Sequence, residues 1–133
     1  MIMSYKEFLL SESYCDQITD GVMKALERLA DAMLDKFGID VRFTQHLKDR
    51  MSDDRNNPCI MVDELKDIFK KIEKDQGEKI KKHPNAEVVI KDLQKSLALP
   101  VVINYSKTKG FEIVAKTIMR KKNFKTPDKV ITV

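Results

Sequence analysis

The chain is poor in the residues that build the commonest chemical sites. It has two cysteines, two histidines, four glycines and four prolines in 133 residues. Cys15 and Cys59 stand far apart and form no CxxC pair, and only His46 and His83 accompany them, so a four-ligand zinc site is poorly supplied. Reduced thiols in a reducing compartment are the expectation. Cys59, between Pro58 and Ile60, is expected to be a small buried hydrophobe. There is no Walker loop, no GxGxxG and no GxSxG, which excludes the common nucleotide-fold and hydrolase signatures. No apolar run approaches the ~18 residues of a membrane-spanning helix. The N-terminus places Lys6 and Glu7 before a short apolar stretch, unlike a secretory signal. Asp53, Asp54 and Asp63 lack the spacing of a calcium loop and read as a solvated loop and a helix cap. No cofactor and no metal is implied.

What is present is charge. Charged residues make up 35% and apolar residues 42%, a balance compatible with a folded domain rather than a disordered chain. The net charge of +4 hides a division. Residues 1–69 carry 9 Lys/Arg against 14 Asp/Glu, a net of −5, and residues 70–133 carry 16 against 7, a net of +9. Lys116, Arg120, Lys121, Lys122, Lys125 and Lys129 form the densest basic stretch, with Phe124 among them. Such asymmetry suggests a surface that meets phosphates or an acidic partner.

The apolar pattern starts helical and ends alternating. Residues 1–18 read as an appendage and 19–133 as one domain. A helix is expected from an Asp20 cap to Phe37, with Val22, Leu26, Leu29, Met33 and Phe37 as its buried stripe and Gly38 as its stop. Thr44 caps a short helix over Gln45–Met51. After the polar loop Ser52–Pro58, Asp63 caps a third helix that carries Leu65, Ile68, Phe69 and Ile72, and Gly77 closes it. Strands are expected over Glu87–Leu93, Pro100–Tyr105 and Phe111–Arg120, with a short last one at Val130–Val133. Ser106–Gly110 is a hairpin turn. Helices followed by a strand meander predict an α+β fold: two or three helices packed on a small antiparallel sheet of three to five strands.

Two constellations carry chemistry. His46 and Arg50 are four apart and share a helix face. Alternation along the third strand puts Phe111, Ile113, Ala115, Thr117 and Met119 on one face. Val114, Lys116, Ile118 and Arg120 take the other, with Lys116 and Arg120 aligned roughly 13 Å apart. An imidazole can move a proton near neutral pH, and guanidinium and ammonium groups can hold a phosphate. His46, Arg50, Lys116 and Arg120 would suffice to cleave RNA through its own 2′-hydroxyl without a metal. Lys121, Lys122 and Lys125 would add nucleic-acid binding, and His83 reads as a surface residue that joins it at low pH. The second constellation is the N-terminal segment Ser4–Glu12, amphipathic and too short to be stable alone.

His46-Leu-Lys-Asp-Arg50, followed by a polar loop, a helix and a strand meander, resembles the small RelE/BrnT-type toxins and phage-borne relatives with a barnase-like nuclease fold, over about residues 41–122. Those proteins pair an HxxxR helix with Arg/Lys on the sheet, which implies the same roles here. The Tyr5-x-Glu7-Phe8 leader resembles the capsid-targeting leader of internal head proteins in large contractile-tailed phages. Leu10-Ser11-Glu12 fits the cleavage rule of their prohead protease, which implies a cut after Glu12. His46 to Asn57 and Ala115 to Phe124 also resemble segments of uncharacterised proteins of T4-like marine phages. These likenesses imply a protein of the virion head or host cytoplasm that binds nucleic acid, RNA before DNA, through a basic sheet face. Metal-independent RNA cleavage is the chemistry they allow. A non-enzymatic internal or structural head protein, or a binder of a host protein, is the alternative.

Overall fold

Thr19, rather than Asp20, caps the first helix among the described residues of the computed structural model, which are 18–53, 56 and 59–133. Its backbone is extended and its hydroxyl oxygen accepts the Val22 N–H at 3.2 Å, satisfying one of the orphan donors of helix α1, Asp20–Leu34. The buried stripe of α1 is Met23, Leu26, Ala30 and Leu34. Val22 and Leu29, expected inside, are each 39% exposed. Two helical stripes one residue apart compete on this surface, and small Ala30, which lets the helix approach the sheet, adds little hydropathy to the winning one. A 3-10 turn at Asp35–Phe37 then ends at Gly38, whose φ of 71° is left-handed, as the sequence predicts for a helix stop.

Strand β1, Ile39–Phe43, lies at one edge of the sheet. Its Val41 N–H donates to Asp31 Oδ1 at 2.8 Å and its Phe43 N–H to Glu27 Oε2 at 2.7 Å. Two carboxylates one turn apart on α1 thus cover donors that an edge strand would otherwise offer to another chain. Helix α2, Gln45–Met51, follows with Thr44 as its cap, as expected. Helix α3 spans Val62–Lys71 and starts after Met61, not at Asp63. A π-helical turn, Ile72–Gln76, carries it into α4, Gly77–Ile80. Gly77 therefore does not close the helix. A Cβ there would come within 2.5 Å of the Phe37 ring, so glycine serves close packing.

The remaining strands are β2 (Ala86–Asp92), β3 (Leu97–Ser106), β4 (Gly110–Ala115), β5 (Met119–Arg120) and β6 (Lys129–Thr132). Among the described residues they form one sheet of six strands, in the order β1-β4-β3-β2-β6 with β5 also paired to β3. Pairs β2–β3, β3–β4 and β3–β5 are antiparallel, while β1–β4 and β2–β6 are parallel. The fold is α+β, with helices on a mostly antiparallel mixed sheet. The strand count passes the expected range because β1 joins the sheet at its edge and short β5 breaks away from β4. The core lies between helices and sheet, where Leu26, Leu47, Leu65 and Phe69 meet Ile39, Val101, Ile103 and Ile113. Each such side chain contributes about 1.5–3 kcal/mol on burial.

The polar side of α3 is tied to the β2–β3 turn by ion pairs. Lys71 Nζ reaches fully buried Asp92 at 2.8 Å, and Lys95 Nζ reaches Asp67 at 2.7 Å. The Lys95 hydrogen bond holds the Asp67 carboxyl below the ordinary carboxylate range.

The decisive local feature is a bulge. Ala115 pairs with Val101 and Met119 with Ala98. Three residues, Lys116, Thr117 and Ile118, therefore face two, Leu99 and Pro100, and one residue is extra. Pro100 has no N–H to donate, and its carbonyl accepts the Lys116 N–H at 3.1 Å, so the proline sits where a bulge is tolerated. The extra residue reverses the facing of everything after it. Arg120 pairs with core-facing Leu97 and so joins the helix side of the sheet, and Ile118 is buried in the core.

Candidate nucleic-acid interface

His46 and Arg50 project from α2 one turn apart. Thr44 fixes the start of this helix twice. Its oxygen accepts the Leu47 N–H at 3.2 Å, and its hydroxyl donates to the Lys116 carbonyl at 2.8 Å, which docks α2 beside the bulge. At the other end Asn56, 5% exposed, donates to the Arg50 carbonyl at 2.6 Å and accepts the Arg120 N–H at 2.8 Å. One amide thus ties α2 to β5. Asn56 lies in the polar loop that the sequence offers only as solvated linker, and nothing local marks it as a brace.

These anchors leave a cleft of about 510 Å³ lined by His46, Arg50, Asn56, Thr117, Ile118, Met119, Arg120 and Lys121. The sequence-derived set divides there. His46, Arg50 and Arg120 all line the cleft, and Lys121 joins them. Lys116 does not: it lies on the opposite side of the sheet, where its Nζ contacts Glu87 Oε1 at 3.0 Å. The alignment of Lys116 with Arg120 fails because the bulge between them changes the facing.

Within the cleft the groups have distinct states. The Arg50 Nε–H donates to His46 Nε2 at 3.0 Å. With Nε2 accepting, the proton of a neutral imidazole sits on Nδ1, and the ring can donate from there. Arg120 Nη2 contacts Glu64 Oε1 at 2.6 Å and the Cys59 carbonyl at 3.3 Å, and Nη1 contacts the Lys95 carbonyl at 3.4 Å. Glu64 balances its charge, and the guanidinium joins α3 to two loops. Arg50, Arg120 and Lys121 are the cations of the lining, which among the described residues includes no carboxylate; Glu64 meets Arg120 from outside it. The arrangement can hold an anion. General-base chemistry at His46 Nε2 would require Arg50 to withdraw.

Of the other expected binding residues, Lys122 lines a neighbouring depression that shares Lys121, and exposed Lys125 lies outside both linings. Half-buried His83 lies in neither lining. The expected processing residues Leu10, Ser11 and Glu12 lie outside the described residues. Cys59 is disulfide-bonded, which corrects the expectation of reduced thiols; the chain's other cysteine, Cys15, lies outside the described residues. Among the described residues no group of three or more His, Cys, Asp or Glu could hold a metal ion, and no helix is long and apolar enough to cross a membrane. Comparison with protein-family models, curated proteins and solved structures finds no match.

Proposed function

We propose that this protein binds nucleic acid through the cleft between α2 and β5 and the basic run Lys121, Lys122 and Lys125. The observation that carries the reading is the cleft itself, in which Lys121, the first residue of that run, faces His46 and Arg50 of a distant helix. A planar guanidinium, an imidazole N–H and an ammonium around one depression match the donors that phosphate oxygens take. Binding without cleavage fits the geometry better than a ribonuclease. The His46 lone pair a base would use accepts from Arg50, and Arg120 is matched by Glu64. The leader resemblance supports packaging in a phage head, and mature virion copies would then begin at Ser13.

The test is fluorescence anisotropy of labelled RNA in chelator across a salt series, with the same samples run on a denaturing gel. Affinity should fall as salt rises, with a log–log slope of about −0.7 per phosphate contact on a single strand. Arg50→Ala and Lys121→Glu should each flatten the slope, while Lys107→Glu on the β3–β4 hairpin should leave it nearly unchanged. Absence of retention at low salt would sink the reading in favour of a protein partner. Cleavage that disappears in a folded His46→Ala variant would instead restore the ribonuclease.

A further inference from the structure

We infer that the nucleic acid taken by this surface is single-stranded, with one base received against Phe124; the inference rests on the function just proposed. Next to the cleft lies a second depression of about 320 Å³, lined in part by Lys91, Ser96, Lys121, Lys122 and Phe124. Lys121 lines both depressions, so they adjoin through a cation. The chain from Lys121 to Phe124 is a turn held at both ends. The Lys121 N–H donates to the Ser96 carbonyl at 2.9 Å, and Lys91 Nζ donates to the Phe124 carbonyl. Asn123, at φ 58°, takes the left-handed conformation that makes the turn tight. The ring of Phe124, half-buried, is further steadied by Lys91 Nζ, which lies 5.8 Å from its centroid.

Two cations followed by an anchored aromatic is an arrangement that a single strand can use along its length. Phosphates meet the ammonium groups while an unstacked base lies on the ring. A duplex keeps its bases stacked inside, and a recess of this size cannot receive one of them without opening it. Charge alone would bind both forms, so the aromatic is what separates them. Phe124 needs no base edge to recognise, so the preference should extend to any base sequence.

The experiment measures binding of a labelled RNA strand and of the same strand annealed to its complement, at one salt concentration, by wild type, Phe124→Leu, Phe124→Ala and the Lys121→Glu/Lys122→Glu double variant. The expected result is tighter binding of the single strand by wild type. Phe124→Ala should weaken the single strand about five- to a hundredfold and leave the duplex unchanged. Phe124→Leu keeps apolar bulk for the fold while removing the ring, so a parallel loss with an intact melting curve assigns the effect to stacking. Equal binding of strand and duplex by wild type, or a preference that survives both Phe124 variants, overturns the inference, and loss of both forms in the double variant would then still uphold nucleic-acid binding. Failure of wild type to hold either form overturns the function itself and this inference with it.

Discussion

Glu64 is the residue whose removal should reveal most about how the cleft is held. One oxygen, Oε1, accepts the Met61 N–H at 3.1 Å at the start of α3 and the Arg120 Nη2 at 2.6 Å. The pair is well sheltered, with Arg120 and Glu64 side chains 17% and 19% exposed. Glu64→Ala removes a helix-start bond of about 1 kcal/mol. It also removes a charge-assisted bond of about 1.5–3 kcal/mol. Together these cost about 2.5–4 kcal/mol, because the Arg120 guanidinium stays in place without the carboxylate it was packed against. For a domain of this size, that should lower the melting temperature by roughly 8–16 °C. Glu64→Gln keeps an acceptor for Met61 and loses only the ionic part, so it should fall by about half as much. The assay is thermal unfolding by circular dichroism at neutral pH, with Arg120→Ala completing a double-mutant cycle. A Glu64→Ala protein that melts within about 2 °C of wild type would refute the reasoning, as would additive behaviour of the two substitutions. The same variant has a functional sign. Loss of the Glu64 negative charge beside the cleft also makes its surroundings more positive, so a folded Glu64→Gln protein should bind anions more tightly.

Three further outcomes follow from the same geometry. Glu27→Ala with Asp31→Ala uncovers the Val41 and Phe43 N–H groups on the β1 edge, and light scattering should show association that rises with protein concentration, whereas Glu27→Gln with Asp31→Asn should stay dispersed. Gly77→Ala should lower the melting temperature although alanine favours helices by about 1 kcal/mol, because the new methyl meets the Phe37 ring, and Phe37→Leu in the same chain should recover part of the loss. The Asp40 carboxyl is held above its ordinary value of 3.8, first by partial desolvation although the side chain is exposed, then by the carboxylates of Asp31, Glu112 and Asp35. Its raised value in the fold means that ionised Asp40 weakens the folded state. Asp40→Asn should therefore stabilise the protein modestly at neutral pH, with a gain that shrinks as pH falls through the raised value and vanishes below 3.8, as read from melting temperatures across pH.

Local chemistry alone determined much of this molecule. Thr44 caps α2 and Gly38 stops the helical run because a hydroxyl acceptor and a left-handed backbone act within a few residues of themselves. The change of apolar period from helical to alternating announced α+β, although strand β1 lies between α1 and α2 and joins the sheet beside β4. The spacing of His46 and Arg50 placed them on one face of α2, where they bond directly. What the tertiary structure decided depended on partners distant in sequence. The α1 stripe could begin at Val22 or Met23 by period alone, and the sheet selected Met23. Gly77 carries the mark of a helix stop, yet Phe37 packs against it and the helix continues. Lys116 and Arg120 share a face only if Phe111 to Arg120 is one unbroken strand. Pairing with β3 inserts the bulge opposite Pro100, so Lys116 meets Glu87 on one side and Arg120 meets Glu64 on the other. Alternation is a local rule, but its phase is set by the neighbouring strand, and a single extra residue transfers every later side chain to the opposite face.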